Sequence, residues 1–338
     1  MSGAAMNQTE TTQQPILSVR DLKVYFPIIA GGLIRRTIPL KAVDGVSFDL
    51  YPGETLGVVG ESGCGKSTLG RGILQLLEPS GGSVVWLGHH IEGLSATEMK
   101  KYRKELQIIF QDPLASLNPR MTIGDIIAEP LTVHNPELSV EERKQRVREM
   151  MEQVGLLPLM INRYPHEFSG GQCQRIGVAR AMILKPRLIV CDEPVSALDV
   201  SIQAQIVNLI KDLQDTFGLS LIFISHDLSI VRHISHRIMV LYLGNMMEVA
   251  DKENLYANPR HPYTKALISA VPLPDPELEK QKQRLVLEGD LPSPLSPPSG
   301  CVFRTRCPLA REKCAQEKPE MTDVNGAHQV ACHFWQQR

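Results

Sequence analysis

"GESGCGKST", residues 60–68, decides what this chain can fold into. Gly60, Gly65, Lys66 and Ser67 fit the spacing G-x-x-x-x-G-K-[S/T]. Glycines let backbone N–H groups close round a phosphate, the lysine reaches the outer phosphates of a nucleotide, and the hydroxyl binds Mg²⁺. The context agrees. "TLGVV" at 55–59 reads as a buried strand, and "KSTLGRGILQLLEP" has helical apolar spacing from Lys66 until it stops near Pro79. The helix N-terminus adds its own N–H groups and partial positive charge. Glu61, Ser62, Gly63, Cys64 and Thr68 complete the loop expected around ATP. Cys64 has two readings: a thiol activated by the helix terminus, which Mg-ATP would shield from alkylation, or a small residue fitting a tight turn.

Upstream, residues 16–58 alternate like strands, with a Pro-Gly turn at 52–53. "PIIAGGLIRRTIPL" interrupts them as a loop or hairpin insertion. Downstream, "LQIIFQDP", "RLIVCDEP" and "LSLIFISHD" read as strands, the last two buried on both faces of a parallel sheet. "QAQIVNLIKDLQDTF" lies between them and makes a β-α-β unit. Asp192 and Glu193 stand at the end of the second of these strands, where one carboxylate can hold a magnesium-bound water and the next can orient or deprotonate an attacking water. Between 112 and 185 the character turns helical, and "SVEERKQRVREMMEQVGL" opens with a Ser139–Glu142 capping box.

A second glycine turn, "FSGGQCQR" at 168–175, opens a helix as an anion-binding turn would, yet neither Lys nor Arg sits in the turn itself. Its own chain already has a complete phosphate loop. The full set resolves this: "FSGGQ", Gln111 after "IIF", "SALD" ending at Asp199, and His226 follow the order of the ATP-binding cassette family, which residues 16 to about 270 resemble. The resemblance implies an α/β P-loop NTPase of RecA-like type. Its parts would be a parallel-sheet core, an N-terminal antiparallel β subdomain, a helical insert at about 112–185 and a C-terminal Cys-rich extension. It also implies that two cassettes dock head to tail, so that Ser169, Gly170, Gly171, Gln172 and Asp199 act on ATP held by the partner. In the same way it makes Glu193 the catalytic carboxylate, His226 a contact to the γ-phosphate, Gln111 a link between Mg²⁺ and the helical insert, and Ser67, Gln111 and Asp192 the Mg²⁺ set. Phe26 would stack on adenine, with Tyr25 on the other face of its strand. Cys173 departs from the Gln of many relatives and is expected to leave the mechanism intact while tuning the interface.

Three further stretches, "QDPLASLNPRMTIGDIIAEPL", "NPRHPYTKALISAVP" and "LPSPLSPPSGCVFRTRCP", are similar to the peptide-importer branch of that family. That implies an ATPase energising uptake of oligopeptides or dipeptides, paired with a second, paralogous cassette beneath two transmembrane permease subunits fed by an external peptide-binding protein. It would sit peripherally on the cytoplasmic face of the bacterial inner membrane. Nickel, glutathione or another solute remains an alternative, as does a soluble cassette ATPase. Against chromosome and DNA-repair cassettes, only 103 residues separate position 66 from position 169, without sustained heptads. One cassette per chain argues against the ribosome-associated type, and Glu193 with His226 argues against a non-hydrolysing regulator.

With 338 residues, 43% of them hydrophobic, the chain can bury a real core, and a net charge of −1 offers no field for nucleic acid. Residues 1–15 are expected to form a flexible tail without an export signal, 16–272 the cassette domain, and 273–338 a stiff Pro-rich connector and the extension. Cys301, Cys307, Cys314 and Cys332, spaced C-x5-C-x6-C-x17-C, leave three readings open: a [4Fe–4S] cluster as in some relatives, zinc, or free thiols. Arg304, Arg306 and Arg311 beside them read as a solvated face.

Overall fold

The computed structural model describes residues 14–30, 36–272, 275–282 and 284–337. The tail expected at 1–15 lies outside them except for its last two residues. Strand β1 (Leu17–Ala30) pairs antiparallel with β2 (Arg36–Leu50), so the stretch that interrupts the strand pattern is the far end of a hairpin, paired out to Ala30 and Arg36. The Pro-Gly turn then feeds β3 (Thr55–Val59), all five residues of which are buried. Helix α1 (Lys66–Ile73) ends earlier than its apolar spacing suggests. Gln75 turns left-handed at φ 54°, and Arg103 donates to the carbonyls of Leu74 and Gln75, satisfying groups a longer helix would have bonded internally. β4 (Gly81–Trp86) and β5 (His89–His90) complete a four-stranded antiparallel sheet in the order β2-β1-β4-β5.

Helix α2 (Ala96–Arg103) leads to β6 (Leu106–Ile109). Then come the helices of the insert: α3 (Ile123–His134), α4 (Val140–Gln153), opened by the Ser139–Glu142 box, and α5 (Gly170–Met182). The chain returns through β7 (Leu188–Asp192), α6 (Val200–Phe217), β8 (Ser220–Ile224), α7 (Leu228–Ile234), β9 (Arg237–Tyr242) and β10 (Asn245–Asp251). Helices α8 (Lys252–Ala257) and α9 (Pro262–Ala270) close this part. The connector is less extended than its prolines suggest, since Pro276–Gln281 forms α10.

The larger sheet runs β9-β3-β8-β7-β6 in parallel, with β10 antiparallel beside β9. The Cys-rich extension, containing α11 (Glu312–Gln316), then adds β11 (Thr322–Asp323) and β12 (Gln329–Val330) to the β10 edge. The extension therefore continues the central sheet. The parallel strands are buried on both faces, so their side chains alternate between two cores. Ile189 and Cys191 of β7 join the core shared with the helical insert, whereas Leu188 and Val190 join the one under the antiparallel sheet. Every candidate catalytic group follows the carboxyl end of one of these strands, where open parallel sheets bind ligands.

Candidate nucleotide site

The loop after β3 is built for an anion. Gly65 sits at φ +102°, and a Cβ there would lie 2.0 Å from the Ala42 carbonyl oxygen, so no other residue fits. Lys66, 4% exposed, donates to the carbonyls of Gly60 (2.8 Å) and Glu61 (3.0 Å), which places its ammonium inside the loop. Ser62 and Gly63 face solvent, and Thr68 is half-buried on the first turn of α1. The Ser67 hydroxyl donates to Asp192 Oδ1 at 2.5 Å across β7. An alcohol and a buried carboxylate in contact at a helix N-terminus are a fitting donor set for Mg²⁺, one oxygen binding directly and the other through water.

Glu193 gathers the other groups. Its Oε2 accepts from Gln111 Nε2 at 3.1 Å and lies 3.4 Å from His226 Nδ1, while Oε1 is 3.9 Å from Lys66 Nζ. Three residues, from the ends of β6 and β8 and from the phosphate loop, thus meet at the carboxylate that follows β7. That carboxylate can take a proton from a water held between it and a phosphate, with Gln111 and His226 fixing its orientation. Sequence reading missed Arg71, whose guanidinium lies 3.3 Å from Asp192 Oδ2. Its spacing of four from Ser67 on α1 was the available signal.

The second glycine turn lies apart. No hydrogen bond among the described residues joins it to residues 60–68. Ser169 caps α5: its hydroxyl accepts from Gln172 N–H at 3.3 Å while its own N–H donates to Gln172 Oε1 at 3.0 Å. The N–H groups of Gly170 and Gly171 and the Ser169 hydroxyl hydrogen find no acceptor among the described residues, and Ser169 is exposed. These donors, with the helix dipole behind them, could receive an anion. Asp199 begins α6 without capping it by its side chain and is likewise exposed. Cys173 corrects an expectation: it is fully buried in the core with Sγ 3.5 Å from the Pro165 carbonyl, so it does not reach an interface.

Residues 43–196 match the family described as ABC transporter, and residues 247–314 the one described as oligopeptide/dipeptide transporter, C-terminal region. The oligopeptide transport ATP-binding protein OppF of Haemophilus influenzae is 65% identical over 87% of this chain and 88% of its own length. OppF of Salmonella typhimurium is 59% identical over 97% and 98%. The chain belongs to the ATP-binding cassette transporter family. The cassette also superposes on the dimeric post-hydrolysis state of the ATP-binding cassette MJ0796 bound to ADP and Pi, with a TM-score of 0.62, 28% identity, and coverage of 70% of this chain and 98% of that one. The second family match starts at 247, inside β10, so it spans the end of the sheet as well as the extension.

Around the cassette's loop, Phe26 is half-buried against the cluster that holds Cys64 and Leu69. Tyr25 points elsewhere, its hydroxyl on Asp44 and its ring under Lys41. Cys64 overturns the reactive-thiol reading: it is 1% exposed, and burial pushes its pKa up against the opposing pull of Lys66. It is the small residue that fills the turn. The extension's four cysteines converge. Cys301 and Cys314 are buried, Cys307 and Cys332 half-buried, and Cys301 N–H donates to the Cys314 carbonyl at 2.8 Å. Burial, with smaller contributions from the other three thiols, pushes Cys301 up to about 11. Among the described residues no three His, Cys, Asp or Glu side chains are arranged to hold a single metal ion. The solvated-face reading of the arginines fails at Arg306, whose guanidinium is buried against Glu61 of the phosphate loop. Among the described residues no helix is long and apolar enough to cross a membrane.

Proposed function

We propose that this cassette couples ATP hydrolysis to uptake of oligopeptides, working head to tail with a second, paralogous cassette. The pair would act beneath two transmembrane permease subunits and an external peptide-binding protein, peripherally on the cytoplasmic face of the bacterial inner membrane. One observation carries the reading: a complete catalytic cluster around Glu193 coexists with a separate helix terminus whose first donors are unspent. Each half needs what the other half of a facing cassette supplies. In this reading Lys66 and the loop of 60–68 hold the triphosphate, Phe26 stacks on adenine, and Ser67, Gln111 and Asp192 hold Mg²⁺, which neutralises the phosphates. Glu193 accepts the proton of the attacking water, and His226 steadies the γ-phosphate. Ser169, Gly170, Gly171, Gln172 and Asp199 close over the partner's nucleotide. The printed names of the OppF relatives support peptide as the cargo.

Glu193→Gln keeps the shape and removes the base, so turnover should fall about 10²- to 10⁴-fold while an ATP-bound dimer accumulates. Unchanged turnover would remove Glu193 from this role. Oligopeptide-stimulated ATPase in the reconstituted complex tests the cargo, and stimulation by nickel or glutathione instead would redirect it. The four converging thiols also support an iron–sulfur cluster, which spreads its thiolates more widely than the tetrahedron of about 2.3 Å bonds around zinc. Protein purified without oxygen should be brown and lose its iron on Cys314→Ser; colourless, iron-free protein would end that reading.

A further inference from the structure

The extension touches the phosphate loop directly. Arg306 Nη1 donates to Glu61 Oε2 at 2.7 Å and Nη2 to Oε1 at 3.1 Å, a two-pronged pair spanning 245 residues of sequence. The arginine side chain is only 9% exposed, the glutamate 28%. Glu61 is held at two further points: its N–H donates to the Tyr263 hydroxyl at 2.9 Å, and its carbonyl accepts from Lys66 at 3.0 Å. The arm that carries Arg306 is itself fixed. Phe303, fully buried, packs 5.2 Å from Tyr242 and 5.3 Å from Tyr263, and the guanidinium lies 6.0 Å over the Tyr242 ring. Farther along, His328 Nε2 meets the fully buried Glu248 Oε1 at 2.6 Å, where β12 joins β10.

A carboxylate at the second position of a phosphate loop is an electrostatic liability. It stands beside the place where a triphosphate must settle, in surroundings that screen it less than water does. A planar guanidinium bonded at both oxygens cancels that charge and fixes the loop at the same time.

We propose that Arg306 is a positioning residue for nucleotide binding. Through its pair with Glu61 the C-terminal extension holds the phosphate loop in its ATP-accepting shape and removes the repulsion between Glu61 and the triphosphate. The proposal rests on the loop of 60–68 holding ATP, and on neither the transported solute nor any metal in the extension.

The test uses the full chain, with ATP affinity measured by equilibrium binding and KM and kcat measured in the reconstituted complex. Arg306→Met, which keeps most of the packing, should raise Kd and KM for ATP about tenfold while kcat changes less than twofold. The defect should shrink as salt rises, because the uncancelled charge becomes screened. Arg306→Lys should recover part of the affinity, and Glu61→Gln combined with Arg306→Met most of it. An Arg306→Met protein with wild-type KM at low salt would overturn the proposal, as would one that loses kcat alone or a double variant no better than the single. If Arg306→Met does not fold, the charge exchange of Glu61→Arg with Arg306→Glu decides: recovery of fold and ATP affinity supports the pair, and folding without affinity refutes it. Wild-type protein that binds ATP no better than Lys66→Ala would sink the phosphate-loop reading itself, a result distinct from any of these.

Discussion

Gly171→Ala tests whether the second glycine turn must sit where it does. A Cβ at Gly171 would lie 2.6 Å from Ile202 Cγ2, about 1 Å inside ordinary contact. Ile202 belongs to the first turn of α6 and is β-branched, so its side chain has little freedom to turn away. The clash is relieved by shifting either the start of α5, which carries Ser169, or the start of α6, which follows Asp199. Overpacking of this kind costs about 1–3 kcal/mol. Replacing glycine by alanine inside a helix returns up to about 1 kcal/mol. A lone cassette can relax, but the proposed closed dimer would need both segments in place, so the net strain should fall on association. At 1.4 kcal/mol per decade, the middle of that range, about 2 kcal/mol less about 1, weakens the proposed ATP-dependent dimer about fivefold, and the upper end, about 3 less about 1, about thirtyfold. The assay is sedimentation in Mg-ATP on a Glu193→Gln background, with ATP binding to the monomer measured in parallel. Monomer binding should be unchanged, and Ile202→Ala added to Gly171→Ala should restore association. Dimerisation at wild-type concentration, or loss of ATP binding by the monomer, would refute the reasoning.

Two further outcomes follow from burial. His261 is 1% exposed, and desolvation lowers its pKa from 6.5 to about 4 despite the opposing pull of Glu248. A folded-state value below the unfolded one means its contribution is present above pH 6.5 and is lost as pH falls toward 4, at up to about 1.4 kcal/mol per pH unit. Denaturant midpoints should fall across that window, and His261→Asn, which keeps an acceptor for Tyr263 N–H, should flatten the decline; equal slopes would count against the assignment. Cys64 should resist alkylation at neutral pH with or without Mg-ATP, labelling only as the protein unfolds. Rapid labelling of the native protein that Mg-ATP blocks would reverse that conclusion.

The phosphate loop, the acidic pair and the β-α-β order were legible because each is local: strand, turn and helix follow one another directly along the chain, as from Thr55 to Ile73, and state their own geometry. The Ser139–Glu142 box could be read for the same reason, since two side chains three positions apart specify it. The reactive-thiol reading of Cys64 and the interface reading of Cys173 failed in the same direction, both residues being buried, because burial is a property of packing that a motif does not contain. The end of α1 was misplaced because Arg103, twenty-nine residues on, supplies the donors that let the helix stop at Ile73. The extension's place on the β10 edge rests on β12 pairing only two residues, too short to leave a periodic trace.

Glu193 shows how far residue identity falls short of function. The sequence marks it as the residue after a strand, but its backbone adopts φ 46°, a left-handed conformation rare outside glycine. That conformation is held by tertiary bonds: its N–H donates to the Ile224 carbonyl at 3.1 Å, and its own carbonyl accepts from the Ser196 N–H at 3.3 Å and hydroxyl at 3.2 Å. Had β7 continued in extended form, successive side chains would alternate between the two cores, and Glu193 would follow the side opposite Asp192. The turn instead puts both carboxylates at one end of the sheet, Asp192 on Ser67 and Glu193 between Gln111, His226 and Lys66. The strain of about 1–3 kcal/mol that such a residue carries is therefore tied to the cluster of Gln111, His226 and Lys66 it gathers.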